Sequence, residues 1–432
     1  MNQVVINCKF TEQDTFKMGG AIEYNINDNS IFTYTFLNNN LKNLPKFPSN
    51  IGLDMLYVSL FIFGADRIIS RELAKDNWSR NIKLNIPVLE KAKWEGSKRL
   101  VEEMLTFLSG DIWELEFRER GFTEGESKLK AKLEGKQSNT IDVETICMFS
   151  GGLDSFIGAI DILEECSGSN VIFISHYGGG KGVKEYQDIL RHKLVSKYNI
   201  AADNFMNFYA SAKKGIEDTT RTRSFMFFSH AIAIATSMNQ PIKLIIPENG
   251  LIALNIPLTN SRLGSSSTRT THPYYLKTFQ ELLKNFNINV EIFNPYRFKT
   301  KGEMMNSSKN KEFLMENISN SMSCSHPDQG RMLGESEPCH CGTCLPCVIR
   351  RAAIKKANIA DSTNYRDSDF TGGATAKINF SSYLLGVRKF EKKFAFLSIQ
   401  KSGPIVENIS EYTALYSRGM LEVLLMLEEY VD

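Results

Sequence analysis

The stretch TICMFSGGLDS at residues 145–155 decides the fold of this chain, and the helical pattern FIGAIDILEEC follows it directly. A short apolar run that ends at glycines predicts a buried strand, so the local order is strand, tight loop and helix. Two adjacent glycines let the backbone turn sharply and bring its N–H groups close to an anion, and the helix N-terminus adds a partial positive charge. The stretch therefore predicts a phosphate-binding loop that opens a strand-to-helix unit.

The residues of this loop indicate which kind of phosphate site it forms. Ser150 and Ser155 can donate hydroxyl hydrogen bonds to phosphate oxygens, but the loop lacks the Gly-Lys-Ser/Thr ending of a Walker loop. Asp154 inside a phosphate site requires a cation, and Mg²⁺ would offset the repulsion between carboxylate and phosphate. The alternative is an ordinary Gly-Gly turn with a Ser or Asp helix cap. The uninterrupted order of strand, hexapeptide and helix favours the phosphate loop.

Outward from the loop, the pattern of strand followed by helix repeats. Apolar runs (VIFISHY, KLIIPE, VEIFNPY) alternate with helical segments such as KEYQDILRHKLVSKY and HPYYLKTFQELLKNF. This alternation predicts an α/β fold with a doubly wound parallel sheet over residues 143–361. Residues 1–142 mix strand-like runs with the apolar helix IGLDMLYVSLFIFGADR and predict an N-terminal α+β accessory domain, with the charged stretch at 121–140 as a surface connection. Residues 362–432 predict a helical C-terminal extension.

The cysteines predict a structural zinc site. Five of the eight cysteines lie between Cys324 and Cys347, and the last three have the spacing Cys341-Gly-Thr-Cys344-Leu-Pro-Cys347. Such turns supply two thiolates each to a tetrahedral Zn²⁺, so Cys324, Cys341, Cys344 and Cys347 are the expected ligands. Cys339 could replace Cys324, and the neighbouring His340 is a further candidate. A full shell of four thiolates leaves no open position for chemistry on the metal.

Composition excludes several classes of function. With 51 basic and 49 acidic residues the formal charge is +2, which indicates neither a nucleic-acid coat nor a membrane-surface role. No apolar run reaches the roughly 20 residues that span a bilayer, and the start MNQVVINCKF lacks a charged leader followed by an apolar run. We therefore expect a cytoplasmic protein without a membrane partner and without direct nucleic-acid binding.

The run from Ser150 to Ser155 resembles the signature of the PP-loop ATP pyrophosphatases, which include GMP synthetase, asparagine synthetase, tRNA thiolases and QueC, the 7-cyano-7-deazaguanine synthase. The resemblance implies that ATP is a substrate whose phosphates lie on Ser150, Gly151, Gly152, Leu153, Asp154 and Ser155. It further implies that ATP is cleaved between its α and β phosphates. The AMP moiety would pass to a carbonyl or carboxylate oxygen, and a nitrogen or sulfur nucleophile would then displace AMP.

The cysteine pattern, with an arginine three residues after its last cysteine, is similar to that of QueC-type enzymes, and so are the stretches at 223–229, 269–273 and 300–304. Together these similarities cover about residues 143–360. They imply that Asp154, Ser155 and Lys301 are catalytic and that Arg223 joins the ATP-binding residues. A solvated surface position is the alternative for Arg223 and Lys301.

The substrate region departs from the QueC pattern. His272-Pro273 stands where the family has Pro-Glu, and the run from Pro247 to Leu258 replaces an Asp-Tyr-Ser-Gly-Tyr region. Glu248, Asn249, Arg269 and His272 are the substrate-binding candidates. These departures leave open the identity of the nucleophile.

The resemblance to a QueC-type enzyme leaves the first 142 residues and the last 70 or so without a role. The stretches around 57–67, 78–80 and 107–111, together with IPENGLIALNIPLT, look like QatC, the QueC-like member of the Qat anti-phage defence system. The resemblance implies an ATP-dependent C–N ligase that adenylates a 7-deazaguanine-type carboxylate and forms an amide or nitrile. The additional residues and the altered region from Glu248 to Leu258 lead us to expect that the acceptor is a partner protein of the same defence operon. The alternatives are a PP-loop thiolase that modifies tRNA or nucleotides, and a non-catalytic nucleotide sensor.

Overall fold

The computed structural model describes residues 3–11, 14–36, 39–134, 141–166, 168–178, 181–213, 215–218, 221–257, 269–332 and 334–431. The strands are β1 (Val4–Lys9), β2 (Ile22–Asn25), β3 (Phe32–Tyr34), β4 (Asn81–Val88), β5 (Ile112–Glu119), β6 (Thr145–Met148), β7 (Val171–Tyr177), β8 (Phe205–Ala212), β9 (Ile242–Ile245) and β10 (Val290–Phe293). The helices of the first half are α1 (Asn50–Ile68), α2 (Lys91–Ser109), α3 (Glu124–Glu134), α4 (Leu153–Glu165), α5 (Lys181–Tyr198) and α6 (Arg223–Ala235). Those of the second half are α7 (Gly250–Leu254), α8 (Pro273–Asn285), α9 (Lys301–Asn306), α10 (Lys311–Asn317), α11 (Gln329–Met332), α12 (Leu345–Lys356), α13 (Ala374–Arg388), α14 (Ala395–Ile399) and α15 (Ile409–Leu427).

The larger sheet has six strands in the order β10-β9-β6-β7-β8-β3. The five strands from β6 to β10 are parallel, and β3 pairs antiparallel with β8 at the edge. The parallel part of this sheet begins at β6, winds outward through β7 and β8, and returns to the other side for β9 and β10. This arrangement confirms the predicted doubly wound sheet and places a topological switch between β6 and β9. Ligands of such sheets bind at the carboxyl ends of the strands beside that switch.

The smaller sheet has the order β2-β1-β4-β5, and all its described pairs are parallel. It belongs to the first 142 residues, yet it is joined to the larger sheet by packing. Helix α1 is buried along nearly its whole length and packs against α6, and one apolar core runs through both regions, including Leu56, Ile174 and Phe279. An α-helix that is apolar all round is expected to be enclosed on all sides.

Two local differences from the expectations appear. The charged stretch at 121–140 contains α3, where Glu126 is buried and accepts hydrogen bonds from Arg120 at 2.8 and 3.1 Å; residues 135–140 lie outside the described part. Guanidinium pairing lets this carboxylate be buried in a segment whose composition indicated a surface connection. Strand β8 was also missed, although its burial alternates along Phe205–Ala212 as in a half-buried strand.

The C-terminal extension packs on the larger sheet's helices. Helix α15 lies against α12 and α7, and its apolar residues form a separate core with α13 and α14. Among the described residues, no helix is both long and apolar enough to cross a membrane.

Candidate nucleotide site and cysteine cluster

The loop between β6 and α4 has the backbone that its glycines require. Gly151 has φ = +82°, and a Cβ atom there would lie 2.7 Å from Cγ of Gln187. Gly152 is the N-cap of α4, with extended backbone. Position 151 therefore needs glycine for two reasons, the left-handed backbone and the close approach of α5.

Neighbouring segments hold the loop in place. Nε2 of Gln187 donates to the carbonyl oxygens of Ser150 at 3.0 Å and His176 at 3.1 Å. From the other side, the N–H of Met322 donates to the Gly151 carbonyl at 2.8 Å, and the N–H of Leu153 donates to Ser323 Oγ at 3.4 Å. Gln187 and Ser323 were missed at the sequence level, because a buried glutamine within an amphipathic helix pattern carries no local signal.

The two loop serines face each other across the turn. Ser150 Oγ lies 3.1 Å from Ser155 Oγ, and Ser155 Oγ donates to the Gly152 carbonyl at 2.9 Å. Ser155 is buried, whereas Ser150 is exposed at the mouth of the loop. The first N–H groups of a helix have no intrahelical partner and favour an anion, and in α4 only that of Leu153 is taken up among the described bonds, by Ser323.

Asp154, in the first turn of α4, joins three segments at the switch point. Its Oδ2 accepts hydrogen bonds from Asn249 through Nδ2 at 2.7 Å and through the backbone N–H at 3.2 Å. Nζ of Lys301, the first residue of α9, lies 3.1 Å from Oδ1. Burial alone would raise the pKa of Asp154, but the Lys301 charge and the donors from Asn249 lower it overall. The structure thus brings together the predicted residues Asp154, Lys301 and Asn249.

Lys301 is held in position by the start of its helix. Thr300 and Glu303 form a capping box, in which Thr300 Oγ1 accepts from the Glu303 N–H at 3.1 Å and Glu303 accepts from the Thr300 N–H at 2.9 Å. Only 5% of Lys301 is exposed. A buried lysine needs a counter-charge, and Asp154 provides one.

Glu248 lies three residues after the end of β9 and beside the Asp154 carboxylate. Burial, followed by repulsion from Asp154, raises the pKa of Glu248 well above its usual range. Asn249 Nδ2 also lies 3.4 Å from Glu248 Oε1, so the two carboxyl groups share this amide, and a cation bound there would relieve their repulsion.

Arg223 begins α6 after β8, at the same edge of the sheet. Its side chain is solvent-accessible, and among the described residues it forms no ion pair. Desolvation by the surrounding protein lowers the pKa of Arg223. Its charge acts on His176, at the end of β7, whose pKa is lowered first by burial and then by Arg223.

The described contacts place Arg269 and His272 away from the loop residues. Nη1 of Arg269 donates to the Phe107 carbonyl at 2.7 Å, and its guanidinium stacks on the Phe107 ring. His272 is the buried N-cap of α8, where Nδ1 accepts from the Tyr274 N–H at 3.2 Å and Nε2 lies 3.4 Å from Ser402 Oγ. Of the four substrate-binding candidates, Glu248 and Asn249 therefore lie beside Asp154, whereas the other two contact the N-terminal region and the C-terminal extension.

The four predicted zinc ligands form one buried cluster. The Sγ atoms of Cys324, Cys341, Cys344 and Cys347 all lie within 4.8 Å of one another. The Cys324–Cys344 and Cys341–Cys347 Sγ pairs are 3.9 Å apart. Four thiolates at a Zn–S distance of about 2.3 Å in a tetrahedron have sulfur separations of about 3.8 Å, so the cluster fits Zn²⁺.

Cys339, His340 and Arg350 lie close to the cluster in the sequence, but each bonds to other residues. Cys339 lies outside, where its Sγ accepts from Arg366 at 3.3 Å, and His340 accepts from the Ser323 N–H through Nε2 at 3.2 Å. Arg350, three residues after Cys347, is fully buried and donates to Ser321 Oγ at 2.8 Å and to the Ile318 carbonyl at 2.6 Å. These bonds hold the segment that precedes Cys324.

The cysteine cluster and the phosphate loop are adjacent. Met322 and Ser323, which bond to Gly151 and Leu153, immediately precede Cys324. A metal that holds Cys324 would therefore also fix Met322 and Ser323, the two residues that support the loop.

Comparison with known proteins agrees with this arrangement. No family model matches the chain. It is similar to the 7-cyano-7-deazaguanine synthases of two strains of Rickettsia bellii, OSU 85-389 and RML369-C. Each is 25% identical over 248 residues, which cover 51% of this chain and 98% of the relative. Over about half of its length, therefore, this chain is QueC-like, similar at the level of the family to the 7-cyano-7-deazaguanine synthases.

Proposed function

We propose that this chain is a QueC-like ATP-dependent C–N ligase. It adenylates the carboxylate of a 7-deazaguanine-type substrate, releases pyrophosphate, and forms an amide or a nitrile. The observation that carries the proposal is Asp154, which follows a glycine loop at the switch point and is held by Asn249 at 2.7 Å and Lys301 at 3.1 Å. The similarity to 7-cyano-7-deazaguanine synthases supports the class of substrate.

In this proposal the loop binds the β and γ phosphates of ATP. The first N–H groups of α4 and the Ser150 hydroxyl are the donors, since they lie at a helix N-terminus. Lys301 and Arg223 stabilise the negative charge that develops on the departing pyrophosphate. Lys301 is almost fully buried, and the exclusion of water around it strengthens that interaction.

Mg²⁺ belongs to the proposal. Asp154 and Glu248 would hold it, because they lie close together and carboxylate oxygens are the ligands that Mg²⁺ prefers. When bound, the ion would supply charge neutralisation on the phosphates. Zn²⁺, held by the four cysteines, has a structural role.

The proposed reaction has two bond exchanges. A carboxylate oxygen attacks the α-phosphorus, the bond from that phosphorus to the bridging oxygen breaks, and pyrophosphate leaves. An amine nitrogen then attacks the acyl carbon, the bond to the AMP oxygen breaks, and the nitrogen loses a proton to give an amide and AMP. With ammonia as the amine, a second ATP would convert the amide to a nitrile.

We assign the amine to a partner protein of the same anti-phage defence operon. The relatives match this chain over 98% of their own length but over only 51% of its residues. A nitrile synthase of this kind therefore needs far fewer residues, and the remainder is explained by a macromolecular acceptor held near the acyl adenylate. The product would be a partner protein carrying a deazaguanine amide.

One experiment tests both the adenylation and the identity of the acceptor. The full chain is incubated with ATP, 7-carboxy-7-deazaguanine and the neighbouring proteins, and pyrophosphate and intact masses are measured. Asp154→Asn should reduce pyrophosphate release by about 100-fold or more. The matched control is Asp161→Asn, on the same helix, whose carboxylate bonds to Tyr296 and Lys309 instead.

The outcomes separate the alternatives. A mass increase on a partner that requires ATP and Asp154 supports the ligase with a protein acceptor. Free nitrile together with unmodified partner proteins would indicate that the chain is a nitrile synthase. A persulfide on a cysteine would indicate a thiolase, and ATP binding without AMP formation would indicate a sensor.

A further inference from the structure

The connection between β8 and α6 is held by the N-terminal region. The N–H groups of Ile216 and Glu217 donate to the Arg67 carbonyl at 2.9 and 3.0 Å, and the Arg71 N–H donates to Glu217 Oε2 at 2.9 Å. Arg67 also donates to the Glu217 carbonyl. This connection leads directly into Arg223, so residues before position 142 determine where an active-site helix begins.

Asp66, near the end of α1, contacts the two residues of this connection that immediately precede Arg223. Its Oδ2 accepts the backbone N–H of Arg221 at 2.8 Å, the backbone N–H of Thr222 at 3.0 Å and the Thr222 hydroxyl at 2.9 Å. Thr222 is the N-cap of α6 but makes no capping bond with its own side chain. The Asp66 carboxylate therefore holds the two residues that precede the helix, and the positive end of the helix dipole favours a negative charge there.

A buried network fixes Asp66 itself. Asp66 is 0% exposed, and its Oδ1 pairs with Arg80, which also bonds to Asp111 at 2.7 Å. Asp111 in turn accepts from Arg71 at 2.9 Å. Paired buried charges in good geometry hold their partners rigidly, because breaking one pair leaves an uncompensated charge.

We propose that Asp66 is a positioning residue of the nucleotide site, which acts through Arg223 by fixing the two residues before it. This inference rests on the proposed function, because it concerns the arginine assigned there to phosphate. The N-terminal region is then part of the active-site architecture, and its charge network sets the direction of the Arg223 side chain.

The test compares two aspartates of one network. Asp66→Asn and Asp111→Asn each remove one buried charge that pairs with Arg80. Among the described bonds, however, only Asp66 accepts from the N–H groups of Arg221 and Thr222. Both variants should lose similar thermal stability. Only Asp66→Asn should raise the KM for ATP in pyrophosphate release, by between about 10-fold and 100-fold. Calorimetry with ATP should show the same weakening without turnover.

A double-mutant cycle shows whether the effect passes through Arg223. In the Arg223→Gln background, Asp66→Asn should change the KM for ATP no further, since residues that act as a unit are not additive. Thr222→Val, which removes one hydroxyl from the contact, should shift the KM in the same direction by a smaller factor and keeps the proposal testable if Asp66→Asn does not fold.

Several results would overturn the proposal. These are an unchanged KM in a folded Asp66→Asn or Thr222→Val protein, an equal rise in Asp111→Asn, or a full additional rise in the Arg223→Gln background. A wild-type chain that neither binds ATP nor releases pyrophosphate would instead refute the proposed function. The two failures are therefore distinguishable.

Discussion

At the scale of single residues, two buried carboxyl groups fix the position of Lys301 in the candidate nucleotide site. Asp154 is balanced by Lys301, whereas Glu422 on α15 has no basic group within bonding distance among the described contacts. Thr300 Oγ1 donates to Glu422, and Thr300 caps the helix that carries Lys301. The C-terminal extension therefore supports the start of α9 through a carboxyl group.

Glu422 predicts a pH dependence of stability. Burial, with a smaller contribution from the Glu303 charge, raises the pKa of Glu422 to about 7 from the ordinary glutamate value of 4.5. The folded protein therefore keeps a proton that the unfolded chain has lost, so stability is present below about pH 4.5 and is lost as pH rises through about 7. The loss is about 3 kcal/mol between these limits.

Chemical denaturation at several pH values measures this dependence. Glu422→Gln should match the wild type near about pH 5 and exceed its free energy of unfolding near about pH 8, because the amide stays neutral. Glu411→Gln, an exposed position on the same helix, should follow the wild-type curve. Parallel curves for wild type and Glu422→Gln would contradict the assignment.

At the scale of elements, the segment from Ile318 to α12 supports the phosphate loop. Arg350 holds its beginning, the four cysteines hold its middle and end, and Met322 with Ser323 transmits that position to Gly151 and Leu153. Short loops of this kind have little apolar burial of their own, so a metal would stabilise them.

Metal content and stability test this element. The protein should contain one Zn²⁺ per chain, and Cys344→Ser should lose the metal and about 3 kcal/mol or more of stability, because the metal binds only the folded state. Cys339→Ser is the matched control, since Cys339 lies in the same segment but outside the cluster. A wild type without zinc, or equal losses in both variants, would disprove the structural role of the metal.

At the scale of the whole molecule, the N-terminal region and the larger sheet form one packed body. Strand β3 extends that sheet, and α1 lies against α6 so closely that a Cβ on Gly52 would be 2.2 Å from Thr236 Oγ1. The predicted boundary at residue 142 thus falls between two regions that share their core.

Gly52→Ala should separate α1 from α6 and destabilise the protein by about 1–3 kcal/mol, as overpacking does in cores. Gly96→Ala is the control, because nothing lies within 4 Å of a Cβ there and α2 exposes the position. It should be neutral or stabilising by about 0.5–1 kcal/mol. The melting temperature of each variant is the measurement, and a neutral Gly52→Ala would argue against the shared core.

The sequence by itself predicted the glycine loop, the class of sheet and the cysteine cluster, because each depends on local spacing: glycines at a strand-to-helix turn, alternating periodicity, and Cys-x-x-Cys turns. It favoured Cys324 over Cys339 as the fourth ligand, and the fold agrees, because Cys324 lies among the other three thiols. Tertiary structure alone decided that Gln187 and Ser323 hold the loop, that His272 caps a helix, and that Asp66 reaches Thr222. These contacts join residues far apart in the chain, and their side chains acquire a role only when packing brings distant backbones together.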